Sequence, residues 1–221
     1  TGSGRGAIGR CGVVEYRSQT CRSRFGTGPI TMAELYLVRH GETIWSASGR
    51  HTSVTDLGLT ENGMRQAESL RGLLDPTAFG LILSSPRQRA RRTAELAGFS
   101  GAYQPEICED LAEWFYGDYE GLTSAQIHES NPGWTIFTHP TPGGETHGQV
   151  TERLDRVIDR IRDSGVERVI CFSHGHALRA LAVRWLGLDL MWGAHFPLDT
   201  GTLSILGEEK GSPAMLRWNA V

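Results

Sequence analysis

Apolar positions along the chain fall into two rhythms. Largely apolar runs at 35–38, 79–83 and 166–172 predict buried strands. Between them apolar residues recur three or four positions apart. Met64, Ala67, Leu70 and Leu74 follow the capping residue Thr60 and predict a helix over 60–74. Residues 86–97 read as a helix with Pro86 in its first turn, and 123–129 as a short one. A long helix over 146–163 would turn Val150, Leu154, Val157, Ile158 and Ile161 inward. A further helix, 176–186, follows the third strand, and 202–206 with 215–218 predict a closing strand pair. This alternation predicts an α/β fold, a three-layer αβα sandwich around a largely parallel, twisted sheet. Pro132, Pro140, Pro142, Gly143 and Gly144 mark a loop. The stretch at about 114–146 is expected to form a lid-like excursion, with Trp134 and Phe137 as its closing residues.

Composition narrows the class. At 221 residues, 39% hydrophobic and 21% charged, the chain suits one compact domain. The longest apolar stretch, 177–196, is broken by Arg179, Arg184 and Asp189, which argues against a membrane span. All basic residues but Lys210 are arginines, yet the net charge is −3, which argues against a polyanion such as nucleic acid as partner. Cys11, Cys21, Cys108 and Cys171 form no CxxC pair, so a reducing, cytoplasmic setting is expected. Residues 1–31 hold five arginines, one acid and no apolar periodicity, and are expected to be a leader outside the fold. The single domain would then be 32–221, beginning at Met32 and carrying a net charge of −7.

Two of the strands end alike. "LYLVRHGET" runs into Arg39, His40 and Gly41, and "VICFSHGHA" into Ser173, His174 and Gly175. A third strand ends in "SSPRQRA" at 84–90. Ligands of open parallel sheets bind outside the carboxyl ends of the strands. These ends would gather two imidazoles, several guanidiniums and hydroxyls around one crevice. His174 and His176 are only two residues apart, and arginine beside the histidines repels cations, so no metal is expected. A phosphate dianion suits the cluster, because guanidinium forks grip it and a neutral imidazole can attack phosphorus. Glu113, in "LAEWFYGDYEG", is the candidate proton donor, since packing against Trp114, Phe115 or Tyr116 would suit it to carrying a proton.

Each feature has an ordinary reading when taken alone. His40 could be a satisfied core histidine, and the run Arg87, Arg89, Arg91, Arg92 could be a solvated face, with at least two of the four exposed. His51, His128, His139, His147 and His195 read as surface or rim residues with no catalytic role.

Six segments in order, "LVRHGET", "LTENGMRQA", "SSPRQRARRTAE", "LAEWFYGDYEG", "PGGET" and "SHGHALRAL", resemble the histidine phosphatase superfamily in its phosphoglycerate mutase-like branch. The resemblance spans about 35–206 and is strongest to small actinobacterial acid phosphatases. It implies a phosphoglycerate mutase-like fold and a cofactor-free phosphatase. It makes His40 the nucleophile that becomes phosphohistidine, Arg39, Arg89 and His174 the phosphate clamp, and Glu113 the proton donor. Thr43, Ser46, Thr52, Tyr116, Gly175 and His176 match pocket positions. Ser46 departs from a common Asn, and Arg87 from a common Leu.

Three functions follow. The first is a broad phosphomonoesterase acting on small phosphate esters, with a homodimer left open. The second is a cofactor-dependent phosphoglycerate mutase. The third is a phosphate-binding module without catalysis. A mutase must hold a second anion, but 93–152 contains no arginine or lysine and many aromatic residues. Hydrolysis of esters with an apolar or aryl body is therefore the expectation.

Overall fold

The structure, a computed structural model, describes residues 33–220; the leader expected at 1–31 lies outside them. Six strands form one sheet: β1 (Glu34–Arg39), β2 (Leu81–Ser84), β3 (Glu106–Ile107), β4 (Arg168–Ser173), β5 (Leu203–Glu209) and β6 (Ser212–Ala220). Their spatial order is β3-β2-β4-β1-β5-β6. The three pairings on the β3 side are parallel, and β5 and β6 add two antiparallel ones. Among the described residues six α-helices accompany the sheet: α1 (Ile44–Ala47), α2 (Glu61–Ser69), α3 (Gln88–Leu96), α4 (Ser124–Ser130), α5 (His147–Asp163) and α6 (Gly175–Trp185).

The central strands are apolar between their ends because both faces are covered. Leu35, Leu37, Leu83, Val169 and Cys171 point to one layer, where they meet Leu154, Val157, Ile158, Leu178 and Leu181 of α5 and α6. The alternate residues Val38, Ile170 and Phe172 point the other way, toward Leu70, Ala94, Ala97 and Phe99. A period of two thus divides each strand between two helical layers, and the expected αβα sandwich results.

Several boundaries differ from the pattern, each for a local reason. The helix expected over 60–74 ends at Ser69 and tightens into a 3-10 turn, Leu70–Gly72, ahead of Pro76. Pro86 lies in a bend before α3, whose N-cap is Arg87. Phe79 precedes β2 and packs edge-on against Tyr36. Two short elements went unseen: α1, four residues closed by a Thr43–Ser46 capping box, and β3, two exposed residues paired with the end of β2. Trp134, Ile136 and Phe137, from the expected excursion, are buried in the α5/α6 core.

The parallel register β1–β4 pairs Arg39 with Ser173. One residue further on, His40 and His174 therefore leave the sheet side by side, and the His40 N–H donates to Ser173 O at 3.0 Å.

Candidate active site

Glycine holds the His40 loop against α2. A Cβ on Gly41 would run into the carbonyl oxygen of Gly63, and a Cβ on Gly63 into that of Glu42. The two backbones touch, which only glycine on both sides permits. His40 is buried, and its Nδ1 lies 2.7 Å from Gly41 O. A carbonyl only accepts, so Nδ1 carries the proton and Nε2 keeps its lone pair. Burial, and then Arg89 and Arg39, hold the His40 pKa well below 6.5, so the ring is neutral.

His174 is the N-cap of α6 and is fully buried, its ring centroid 5.2 Å from that of His40. Arg89 donates Nε–H to His174 Nδ1 at 3.1 Å. The proton of a neutral His174 therefore sits on Nε2, which donates to Ser85 Oγ at 2.7 Å. Burial, Arg89, His40 and Arg39 keep its pKa well below 6.5.

The two clamp arginines are held differently. Arg89 is buried beneath the cleft wall, where Nη1 donates to Thr55 O (3.1 Å) and Nη2 to Thr52 O (3.1 Å). The loop that supplies those carbonyls is organised by Glu120, whose carboxylate accepts from Ser53 N (2.9 and 3.0 Å), Ser53 Oγ and Thr55 N (3.0 Å). Burial raises the Glu120 pKa, but these hydrogen bonds outweigh it and the net shift is downward. Arg39 borders the cleft and donates Nη1–H to Leu198 O. Its Nε is buried with no partner among the described residues. A Cβ on Gly175 would come within 3.2 Å of the Arg39 Cζ, so that glycine lets α6 approach the guanidinium. Of the neighbouring arginines, Arg91 and Arg92 are exposed, as a solvated face requires.

Glu113 departs from its expected setting. Its carboxylate accepts three backbone N–H groups, two on Oε1 (Trp114 at 2.9 Å, Ala177 at 2.8 Å) and one on Oε2 (His176 at 3.1 Å). Two of these donors belong to the first turn of α6, where amides are free and the dipole attracts an anion. Of its aromatic neighbours, the Trp114 indole turns away to Glu145 O and Phe115 is exposed, whereas the buried Tyr116 interacts with the carboxylate.

Around these groups lies a cleft of about 260 Å³ bordered by Arg39, His40, Thr43, Ser46, Thr52, Glu113, Tyr116, Gly175 and His176. The structure thus brings every sequence-predicted site residue to one place, with Arg89 and His174 just behind the wall. Ser46 donates its hydroxyl to Thr43 O (3.0 Å) and accepts from Thr43 N (2.8 Å), so it braces the loop from the cleft edge. The Tyr116 hydroxyl lies 2.6 Å from His176 Nδ1. Burial, with the Glu113 charge next, pushes the tyrosine pKa well up, and burial pushes that of His176 well down.

The sequence pattern missed Ser124 and Arg179, which border the same cleft together with Arg50 and the expected rim residue His51. One signal was present: Arg179 lies four residues after Gly175, hence on the same face of α6. His51, read as a rim residue, has its pKa lowered to about 4 by burial, against an opposing effect of Glu120. Among the described residues no group of acids, cysteines and histidines could hold a metal, and no helix is long and apolar enough to cross a membrane.

Residues 35–221 match the family model of the histidine phosphatase superfamily, branch 1. The chain is 43% identical over 180 residues to an acid phosphatase of Mycobacterium tuberculosis, covering 80% of this chain and 87% of that one. It is 37% identical over 183 residues to sedoheptulose 1,7-bisphosphatase of Saccharomyces cerevisiae, covering 70% and 68%. The structure of the Mycobacterium tuberculosis open reading frame Rv3214 superposes with a TM-score of 0.81 at 40% identity, over 86% of this chain and 98% of that one. The alpha-ribazole phosphatase of Shigella flexneri superposes with a TM-score of 0.73 at 28% identity, over 85% and 96%. With its fold, its order of motifs and these relatives in agreement, the chain belongs to the histidine phosphatase superfamily.

Proposed function

We propose that the chain is a phosphomonoesterase acting on small phosphate esters through a phosphohistidine at His40. The observation that carries this reading is the Nδ1–Gly41 O hydrogen bond, which leaves an unprotonated Nε2 in a neutral ring among guanidiniums. In the proposed reaction Nε2 attacks phosphorus, and the bond to the ester oxygen breaks. Arg39 and Arg89 neutralise the transferring group. A phosphoryl dianion opposes the positive charges around His174, while that ring, fixed by Arg89 and Ser85, backs the site beside His40. Glu113 supplies the proton to the leaving oxygen. Oε1 already accepts two N–H groups and Oε2 only one, so Oε2 is assigned the proton. The resulting carboxylate then takes a proton from water, which attacks the phosphohistidine and regenerates His40. Small phosphorylated metabolites in the cytoplasm fit this reading as substrates.

A second reading, a phosphoglycerate mutase, gains support from one observation. Residues 93–152 contain no arginine or lysine, but Arg50 and Arg179 reach the cleft from outside that span. The relatives named above are phosphatases, which favours hydrolysis. Phosphate release from a panel of monoesters, run beside an enolase-coupled mutase assay, tests the choice. Release exceeding mutase turnover is expected; mutase turnover ten times faster than release would overturn it.

A further inference from the structure

The segment "PGGET", residues 142–146, resembles the family in sequence, yet none of it borders the cleft. It packs instead on the strip of chain that carries Glu113. Glu145 and Phe115 are joined twice. Phe115 N donates to Glu145 Oε2 at 2.8 Å, and Glu145 N donates to Phe115 O at 2.9 Å. The Trp114 indole donates to Glu145 O at 3.1 Å. Gly144 permits this approach, because a Cβ there would lie 2.3 Å from Phe115 O. Asp118 N donates to Pro142 O at 2.8 Å and extends the contact.

The Glu145 carboxylate is held in turn by Arg153, which is buried on the same face of α5 as Val150, Leu154 and Val157. Arg153 Nε donates to Glu145 Oε1 at 2.7 Å and Nη2 to Oε2 at 3.0 Å, a two-pronged pair. Its Nη1 donates to Asp110 O at 2.7 Å and to Ala112 O at 2.9 Å. Ser173 Oγ donates to the carbonyl between them, Leu111 O, at 2.6 Å. The backbone is thus fastened on both sides of Glu113, at 110–112 and at 115, and one ion pair serves both. A buried ion pair is weak evidence for stability, because desolvation offsets its attraction. Its placement here is what distinguishes it. Neither Arg153 nor Glu145 borders the cleft.

We propose that Glu145 and Arg153 are a positioning pair for the proton donor, setting the Glu113 carboxyl against the leaving oxygen of the ester. This rests on the reading of Glu113 as that donor and adds what holds it. The carboxyl head hangs from His176 N and Ala177 N of α6. The ion pair fixes its root, the backbone at 112–115. Without the pair that backbone is free to shift, and the carboxyl moves away from the ester oxygen. The phosphate clamp stays, because Arg39 belongs to β1, Arg89 to α3 and His174 to the start of α6. A misplacement of about 1 Å caused far from the chemistry can cost about 10²-fold in rate. The cost should fall on esters whose leaving oxygen needs a proton.

Two esters with the same ring test this, phenyl phosphate and 4-nitrophenyl phosphate. Nitrophenoxide leaves with little help, whereas phenoxide needs the proton. Their kcat/KM values report the steps up to departure of the alcohol. Arg153→Lys keeps the charge but cannot reach a carboxylate and two carbonyls together, and Glu145→Gln keeps the shape without the charge. Each variant is expected to lose about tenfold or more on phenyl phosphate but less than about threefold on the nitro ester, within the reach of general acid catalysis. Inhibition by inorganic phosphate should stay as in the wild type. A purely structural role would deplete folded enzyme and lower both esters by one factor. Equal losses on the two esters, or no loss on phenyl phosphate, in variants whose melts show a folded protein would overturn the proposal. Glu113→Gln separates this from the parent reading, since it should show the same split, and a larger one. A split there that both pair variants lack would count against the pair alone. Equal losses there would overturn Glu113 as donor and the positioning pair with it.

Discussion

Arg89 gives its Nε–H to Nδ1 of His174 at 3.1 Å while its two terminal nitrogens are held by carbonyls of the loop at 52–55. One guanidinium therefore links a strand-end histidine, the start of α3 and a surface loop. The fork shape matters more than the charge, since three directions are used at once. It also explains why a residue in an arginine run is the buried one: Arg89 faces inward from α3, whereas Arg91 and Arg92 face water.

Arg89→Lys should accordingly behave as a severe change. Lysine keeps the charge but cannot reach His174 and two carbonyls together. A loss of about 10²-fold or more in kcat/KM is expected, in line with about 3–5 kcal/mol for breaking a buried charged network, together with weaker inhibition by inorganic phosphate. Steady-state kinetics with phosphate as product inhibitor reads both, and a loss under threefold would argue against the link.

Glu120 acts at one remove, through the loop at 53–55. Glu120→Gln keeps its shape but replaces an acceptor oxygen with an NH2 group facing N–H donors. We expect a fall in melting temperature of several degrees, since unsatisfied buried donors cost about 1–3 kcal/mol. We also expect a kcat/KM loss of about tenfold, passed on through Arg89, with partial recovery in Glu120→Asp. An unchanged phosphate inhibition constant in the glutamine variant would show that the loop does not position Arg89.

Much of this was legible in the chain because it is local. The strand-end motifs fix His40 and His174, and parallel pairing then places them side by side. The helix periods fix α5 and α6. What was not legible depends on contacts far apart in sequence. Glu113 looked like a carboxyl among aromatic residues, but its partners are amides 63 and 64 residues away. The cation-free span suggested a cleft without a second anion site, yet Arg50 and Arg179 arrive from a different loop and helix. Only the capping box at Thr43 and Ser46 shows why α1 forms in four residues without an apolar stripe.

Acidification should weaken the fold. His40, His174 and His176 all have pKa values pushed well below 6.5, first by burial and then by neighbouring charges. Below about pH 6.5 the unfolded chain takes up protons that the folded chain does not, so stability falls as pH falls. Each group can contribute up to about 1.4 kcal/mol per pH unit until its folded pKa is reached. The melting temperature should therefore drop between pH 7.5 and pH 5, a window above the range in which most carboxylates titrate. For the same reason the acid limb of kcat/KM due to His40 should lie below 6.5. A melting temperature that is flat or rising on acidification would contradict the assignment of neutral, buried rings.

The account stands on His40 Nε2 as the nucleophile, and trapping the phosphoenzyme tests that directly. Brief mixing with a 32P-labelled monoester, followed by denaturation without acid, should leave label on the protein. The label should be stable to base and lost in acid, as a phosphoramidate is. His40→Ala should carry no label and release no phosphate, while a melt confirms that it folds. Labelling of His40→Ala at the wild-type level, or a label that survives acid, would contradict the account.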